Sequence, residues 1–158
     1  MTEAEMLIKR LSETARTAAA AESCTGGLVA DLLVQIPGAS QVFWGSFVSY
    51  TVNAKTVMLG LEEDLIKRHG AASEETVCAM AQGALERSAA DMAVAVTGLA
   101  GPDGDGTGTP VGTVWIGTAL RGQKPNAQRF YYPFSREKVR IAAAEDAIRA
   151  LLDLATRS

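Results

Sequence analysis

The chain has 158 residues, enough for one domain, and 47% of them are apolar against 21% charged, a composition that excludes an intrinsically disordered protein. A net charge of −3 and a pI near 5.2, with no basic run, argue against binding to nucleic acid or to an anionic membrane. The N-terminus lacks a signal-peptide pattern and no stretch approaches the roughly 20 apolar residues of a membrane span, so we expect a cytoplasmic protein.

The predicted elements alternate between helices and strands. Thr2 and Glu5 form a capping-box pattern before the first helix, and Ser73 and Ser135 are typical helix caps farther along the chain. In chain order, the residue patterns predict a helix to about Ala15, a strand over 17–21, a helix over 28–36, a strand over 42–50, a helical turn at 53–55, a helix over 65–69, a longer helix after Ser73, strands over 92–96, 111–120 and 128–132, and a last helix after Ser135.

This order of elements predicts a single three-layer α/β domain over residues 1–158, with a mixed β-sheet flanked by helices. Periodicity places Leu7, Ile8, Leu11 and Ala15 on the buried side of the first helix. The buried side of the last helix is predicted from the same spacing as Ile141, Ala144, Ile148, Leu151, Leu152 and Ala155. Ligands of such sheets bind at the carboxyl ends of strands, where two glycine-rich segments fall.

The first of these segments, residues 20–27, reads Ala-Ala-Glu-Ser-Cys-Thr-Gly-Gly. A strand-to-helix turn presents backbone N–H groups and the positive end of a helix dipole to whatever lies above it. Ser23 lies in that field. Either it caps the helix, or it is a nucleophile with an anion-stabilising site beside it, and the residues alone leave both interpretations open.

A nucleophilic serine needs a base to accept its proton. His69 is the only histidine, and its position before Gly70 at an apparent helix end is more typical of a structural role. Lys55 follows a hydrophobic strand and precedes an apolar segment, so burial could lower its pKa towards neutrality, although a surface lysine is the alternative. Cys24 is a rival nucleophile that, as the neighbour of Ser23, should point elsewhere.

Metal chemistry is not expected. Cys24 and Cys78 lack Cys-x-x-Cys spacing, and one histidine is too few for a zinc site of Cys and His ligands. The second glycine-rich segment, residues 98–110, lacks the lysine of a Walker loop, the twelfth-position carboxylate of an EF-hand and the spacing of a dinucleotide fingerprint. Three interpretations of this segment stay open: a flexible lid, a backbone cradle for an anion, and a plain connecting loop. We predict no metal and no cofactor.

Several motifs occur in order along nearly the whole chain. They are Ala21 to Gly27, Tyr50 with Ala54-Lys55, His69-Gly70-Ala71 with Ser73-Glu74-Glu75, Val96-Thr97-Gly98 with Ala100-Gly101-Pro102, and Pro110 to Val114. Together they resemble the C-terminal domain of the CinA (competence/damage-inducible) family. The chain departs from the family pattern at Thr51-Val52, where Ser-Asn is common, and at Thr109, where a basic residue is frequent.

The resemblance implies an amidohydrolase that converts nicotinamide mononucleotide to nicotinate mononucleotide and ammonia in pyridine-nucleotide salvage. It implies Ser23 as the nucleophile, Lys55 as its base and Tyr50 as an assisting residue. Arg140, or alternatively Arg136, becomes a candidate for the substrate phosphate, with a solvated helix face as the other interpretation. The residues that we expect to contact the substrate are Glu22, Thr25, Gly26, Gly27, Thr97, Gly98, Gly101 and Arg140.

Two other functions stay open at this point. The domain could be a non-catalytic nucleotide-binding module of the competence/damage-inducible type, or a nucleic-acid-binding competence factor, which its charge disfavours. The expected partner is a small nucleotide, with neither nucleic acid nor membrane, and a homodimer is the default assembly for an α/β protein of this size.

Overall fold

The computed structural model describes residues 1–158 as a five-stranded sheet with helices packed on both faces. This confirms the predicted three-layer α/β architecture. The elements are α1 (Glu3–Glu13), β1 (Ala18–Glu22), α2 (Leu28–Val34), β2 (Phe43–Val48), α3 (Val52–Leu59), α4 (Glu63–His69), α5 (Glu74–Ser88), β3 (Met92–Gly98), β4 (Thr113–Leu120), β5 (Asn126–Tyr131) and α6 (Arg136–Arg157), with a 3-10 turn at Ala39–Gln41. No helix combines the length and apolar character that a membrane span requires.

The sheet has the strand order β2-β1-β3-β4-β5. Strands β2, β1 and β3 are parallel, and β4 and β5 complete the sheet in antiparallel pairs. Glu22, the last residue of β1, is in register with Val48 of β2 and with Val96 of β3. The segments that follow these three strands therefore leave the sheet at one edge, as expected from the positions of the two glycine-rich segments.

Strand β1 is an interior strand of the sheet, with β2 on one side and β3 on the other. Its four alanines, Ala18 to Ala21, are completely inaccessible to solvent. On one face, α1, α2 and α6 enclose a core that includes Leu7, Leu33 and Leu151, and on the other face α5 packs with α3 and α4 around residues such as Met80. Small side chains on β1 permit close packing of both helical layers against this strand.

Two apolar positions differ from the sequence-based prediction. Helix α1 ends at Glu13, and Ala15 is exposed with a φ of 52° where the chain turns towards β1. In α6, Ile141 is 42% exposed, and Val139 and Ala143 are buried instead. The buried face of α6 shifts along its 22 residues because it packs against α1 and α2 as well as against the sheet, so a single stripe describes it poorly.

Candidate active site

The turn after β1 is organised by a buried carboxylate. Glu22 is inaccessible to solvent, and its two oxygens accept five hydrogen bonds that connect β1, the turn, α2 and β2. The donors are the Thr25 hydroxyl (2.7 Å), the N–H groups of Gly27 (3.2 Å), Val29 (2.8 Å) and Ala30 (3.2 Å), and the Ser46 hydroxyl (2.7 Å). Glu22 thus satisfies the first N–H groups of α2, a role that capping side chains usually have.

Because Glu22 caps α2, the hydroxyl of Ser23 is free for another partner. It lies 2.9 Å from Nζ of Lys55, which also donates to the backbone carbonyls of Ser49 (3.0 Å) and Tyr50 (3.1 Å). The Ser23 hydroxyl itself donates to the Tyr50 carbonyl at 3.3 Å. Of the two interpretations of Ser23, the helix cap is therefore wrong.

Local sequence explains how Lys55 reaches this position. Thr51 caps α3 through a hydrogen bond from the Ala54 N–H to its hydroxyl (3.0 Å), so the helix begins directly after the end of β2. Lys55 lies one turn into α3 and is 1% exposed, and Ser23 is 7% exposed. The Ser23 hydroxyl and the Lys55 amine therefore meet in a largely buried position, away from bulk water.

Burial in these surroundings lowers the pKa of Lys55 from its ordinary value of 10.5 to about 8. A neutral amine has two N–H groups, which the Ser49 and Tyr50 carbonyls can accept, and one lone pair, which then faces the Ser23 hydroxyl. This is the arrangement that a general base requires. The hydrogen bonds hold Lys55 in place in both protonation states.

Cys24 is not an alternative nucleophile of comparable reactivity. It belongs to the hydrophobic core, and burial raises the pKa of its thiol to about 11. The thiolate, which is the nucleophilic form of cysteine, is accordingly scarce near neutral pH. His69 does not serve the site either, since its imidazole pairs with Glu75 of α5 at 3.6 Å and has no hydrogen bond to Ser23 or Lys55.

Backbone N–H groups in the turn differ in what they bind. The N–H of Gly26 donates to the Ser23 carbonyl at 3.0 Å, and that of Gly27 donates to Glu22. The N–H groups of Cys24 and Thr25 donate to no other residue. Thr25 is completely buried, whereas Cys24 retains 6% exposure, so the N–H that directly follows Ser23 is the better placed to meet a ligand.

Two arginines of α6 reach the turn and its surroundings. Arg140 donates from Nε to the Cys24 carbonyl (2.9 Å) and from Nη2 to the Thr25 carbonyl (3.0 Å). Arg136 donates to the Gly101 carbonyl (2.6 Å) and to the Tyr50 hydroxyl (3.1 Å). Arg136 thereby joins the segment after β2 to the glycine-rich segment after β3.

Comparison with protein-family models assigns the chain to one family. The model of the CinA C-terminal domain family matches residues 1–155. The chain belongs to this family. A CinA-like protein of Akkermansia muciniphila is 48% identical over 147 residues, which are 93% of this chain and 36% of that protein. A putative competence-damage inducible protein of Caldicellulosiruptor bescii is 45% identical over 87% of this chain and 33% of its own length. The chain thus spans about a third of these curated relatives.

Solved structures of the family share the fold over almost the whole chain. A CinA superfamily protein of Escherichia coli is 34% identical, with a TM-score of 0.93 over 96% of this chain and 88% of that chain. A competence/damage inducible protein of Agrobacterium tumefaciens is 38% identical, with a TM-score of 0.89 over 98% and 96% of the two chains. The CinA fold therefore accounts for the entire domain.

Within this CinA domain, Ser23, Lys55 and Tyr50, which were predicted as catalytic, lie close together. Tyr50 contributes its backbone carbonyl and not its phenol. Its backbone carbonyl contacts Lys55 and Ser23, whereas its side chain is 56% exposed and touches Arg136. The carbonyl of Ser49 and the hydroxyl of Ser46 also support the site, and the sequence analysis did not identify either residue. Backbone carbonyls leave no signal in a sequence, because every residue has one.

The residues expected to contact substrate fall into two groups. Gly26 is exposed at the tip of the turn with a φ of 58°, and Gly27 is the N-cap residue of α2 with a φ of 109°. Glu22 and Thr25 instead face the protein interior and bind each other. In the second glycine-rich segment, the hydroxyl of Thr97 donates to the Ala71 carbonyl at 2.7 Å. Gly98 and Gly101 also pack against protein, as Val114 approaches the first and Val111 the second.

Proposed function

We propose that this CinA domain hydrolyses the carboxamide of nicotinamide mononucleotide through a serine–lysine pair. The observation that carries the proposal is the contact of 2.9 Å between Nζ of the buried Lys55 and Oγ of Ser23. A buried lysine next to a serine hydroxyl, with a pKa of about 8, is unusual for a purely structural residue, since lysines are rarely buried without an acidic partner.

The first half of the reaction forms an acyl-enzyme. Lys55, as the neutral amine, accepts the hydroxyl proton of Ser23 while Oγ attacks the carboxamide carbon and a C–O bond forms. The carbonyl oxygen becomes an oxyanion, for which the N–H of Cys24 is the nearest backbone donor in sequence. The ammonium of Lys55 then protonates the amide nitrogen, the C–N bond breaks and ammonia leaves.

The second half restores the enzyme. Water attacks the ester carbon and transfers a proton to Lys55, and the Lys55 ammonium returns a proton to Ser23 as the C–O bond breaks. The products are the free carboxylic acid and the original pair. The substrate class within this scheme comes from the resemblance to the CinA C-terminal domain, and the exposed Arg136 suits a substrate that carries a phosphate.

The test is to incubate the purified protein with nicotinamide mononucleotide and to measure ammonia and nicotinate mononucleotide. We expect equal amounts of both products, and no release by the Ser23→Ala variant. A wild-type rate equal to that of Ser23→Ala would reject the proposal. Saturable binding of the nucleotide without turnover would instead favour a regulatory module that binds nucleotides. The homodimer stays a prediction, which light scattering after size-exclusion chromatography can test.

A further inference from the structure

Arg136 and Arg140 lie one turn apart near the start of α6, but their guanidinium groups contact chemically different partners. Arg140 binds only backbone carbonyls of the turn that carries Ser23. Arg136 binds a side-chain hydroxyl and the first part of the glycine-rich segment. Neither arginine forms an ion pair with an acidic side chain. No neighbouring carboxylate therefore neutralises the positive charge of either arginine.

The environment of Arg140 is that of a supporting residue. Its side chain is half-buried, and a Cβ at Gly26 would lie 3.2 Å from its Nη2, so the guanidinium packs directly against the turn. The carboxylate of Glu22 binds N–H groups and a hydroxyl of the same segment from the interior. The turn therefore lies between the Glu22 carboxylate, which accepts hydrogen bonds from it, and the Arg140 guanidinium, which donates hydrogen bonds to it. The conformation of the turn fixes the position of the Ser23 hydroxyl.

The environment of Arg136 is that of a ligand-binding residue. Its side chain is exposed, and the Tyr50 hydroxyl that it contacts belongs to a side chain that is 56% exposed. Its other partner is the Gly101 carbonyl, directly before a run of exposed residues over 102–108. Two of the five N–H groups of a guanidinium are engaged here, which leaves donors for an anion that arrives from solvent.

We propose that the two arginines divide two tasks: Arg140 is a positioning residue that holds the Ser23 turn, and Arg136 binds the anionic group of the substrate beside Tyr50. This inference rests on the proposed function for the nature of that substrate. It reverses the order expected from the sequence, in which Arg140 was the first candidate for the phosphate. The reason is that Arg140 is already committed to the Cys24 and Thr25 carbonyls.

The experiment compares nicotinamide mononucleotide with nicotinamide riboside, which lacks the phosphate. For Arg136→Gln, we expect KM for the nucleotide to rise about ten-fold or more, while kcat/KM for the riboside changes less than about two-fold. For Arg140→Gln, we expect kcat to fall about ten-fold or more for both substrates, with little change in their ratio of kcat/KM. A loss confined to the nucleotide in Arg140→Gln would overturn the inference.

Arg149→Gln is the matched control, because Arg149 lies on the same helix, pairs with Glu3 and Asp146 and donates no hydrogen bond to the turn. We expect its kinetics to equal those of the wild type. A positioning role for Arg140 also predicts faster hydrogen exchange of the amides in residues 23–27, at a temperature where Arg140→Gln is fully folded. Unchanged exchange together with unchanged kcat would reject that role.

Failure of the proposed function would be seen separately, as absence of turnover by the wild type with both substrates. In that case, calorimetric titration with nicotinamide mononucleotide tests the inference, because it measures the binding affinity of each variant without turnover. We expect Arg136→Gln to weaken binding about ten-fold or more and Arg140→Gln to leave it within about three-fold of the wild type. Equal weakening by both variants, or no binding by the wild type, would overturn the inference.

Discussion

Nζ of Lys55 and Oγ of Ser23 lie 2.9 Å apart, although 32 residues separate them in the chain. Ser23 follows β1, an interior strand of the sheet, and Lys55 lies in α3, which begins shortly after the neighbouring strand β2. The contact depends on the parallel pairing of these strands, which brings their carboxyl ends to the same edge.

In the proposed mechanism, replacement of Lys55 removes the base and leaves the nucleophile in place. We expect Lys55→Arg, which keeps a positive charge, and Lys55→Met, which keeps the approximate length, each to lower the rate of ammonia release by about 10²–10⁴. Steady-state kinetics measure this, with circular dichroism to establish folding. Turnover at the wild-type rate in either variant would assign the base to another group.

The pH dependence of the reaction follows from the lowered pKa of Lys55. The base is active as the neutral amine, so kcat/KM should rise with pH and level off above about 8. Measurement over a range from pH 6 to 10 requires buffers of constant ionic strength. A profile that is flat through this region, or that falls, would show that the neutral amine does not limit the reaction.

The same group should make stability depend on pH. Below about pH 8, Lys55 is protonated in both the folded and unfolded states, and the folded state bears the cost of the buried charge. Between about 8 and 10.5 the unfolded state binds more protons, so the free energy of unfolding rises with pH. Relative to Lys55→Met, the wild type should gain up to about 3 kcal/mol across this window.

Urea unfolding of both proteins at several pH values gives this difference, in which the titration of other groups cancels. A difference that stays constant from pH 7 to 10.5 would mean that the folded state does not lower the pKa of Lys55. The difference between the two proteins also gives the free-energy cost of keeping the Lys55 amine in the interior. Reactive groups in protein interiors commonly lower stability in this way.

Glu22 should stabilise the fold and the turn together. The Glu22→Gln substitution replaces one carboxylate oxygen with an NH₂ group. This group is a donor, and it would face another donor, such as the Ala30 N–H or the Thr25 hydroxyl, which the oxygen had accepted. We expect a loss of about 2–4 kcal/mol in the free energy of unfolding, because buried donors are left without acceptors. Ser46→Ala, which removes one donor only, should cost about 1 kcal/mol. Equal losses in the two variants would contradict this assignment.

Gly98 is required by close packing at the end of β3. A Cβ at this position would lie 2.7 Å from the Thr113 carbonyl oxygen and 2.7 Å from a methyl group of Val114. Gly98→Ala should therefore destabilise the protein by about 1–3 kcal/mol in thermal or urea unfolding. Gly104→Ala is the control, since its nearest contact would be an ordinary 3.9 Å from Val111. If Gly98→Ala leaves the free energy of unfolding unchanged, β3 and β4 move apart at this position at little cost.

The fold class was predictable from the sequence because it depends on local patterns. Caps at Thr2, Ser73 and Ser135, and the alternation of small-residue strands with amphipathic helices, indicate a three-layer α/β domain without any knowledge of long-range contacts. Ser23 and Lys55 were candidates from the residues alone, but a helix cap and a surface lysine stayed open as alternatives, and the resemblance to the CinA C-terminal domain implied their catalytic roles. Local patterns were sufficient for the fold class, whereas the roles of Ser23 and Lys55 depended on the ordered motifs of the family.

The tertiary structure decided the roles of the surrounding residues. Whether Glu22 meets a substrate or caps α2, whether Tyr50 contributes its phenol or its carbonyl, and which arginine faces solvent depend on directions that a one-dimensional pattern does not contain. Strand pairing and helix packing set these directions. The pKa of Lys55 follows from the same packing, because desolvation arises only when distant segments of the chain close over the amine.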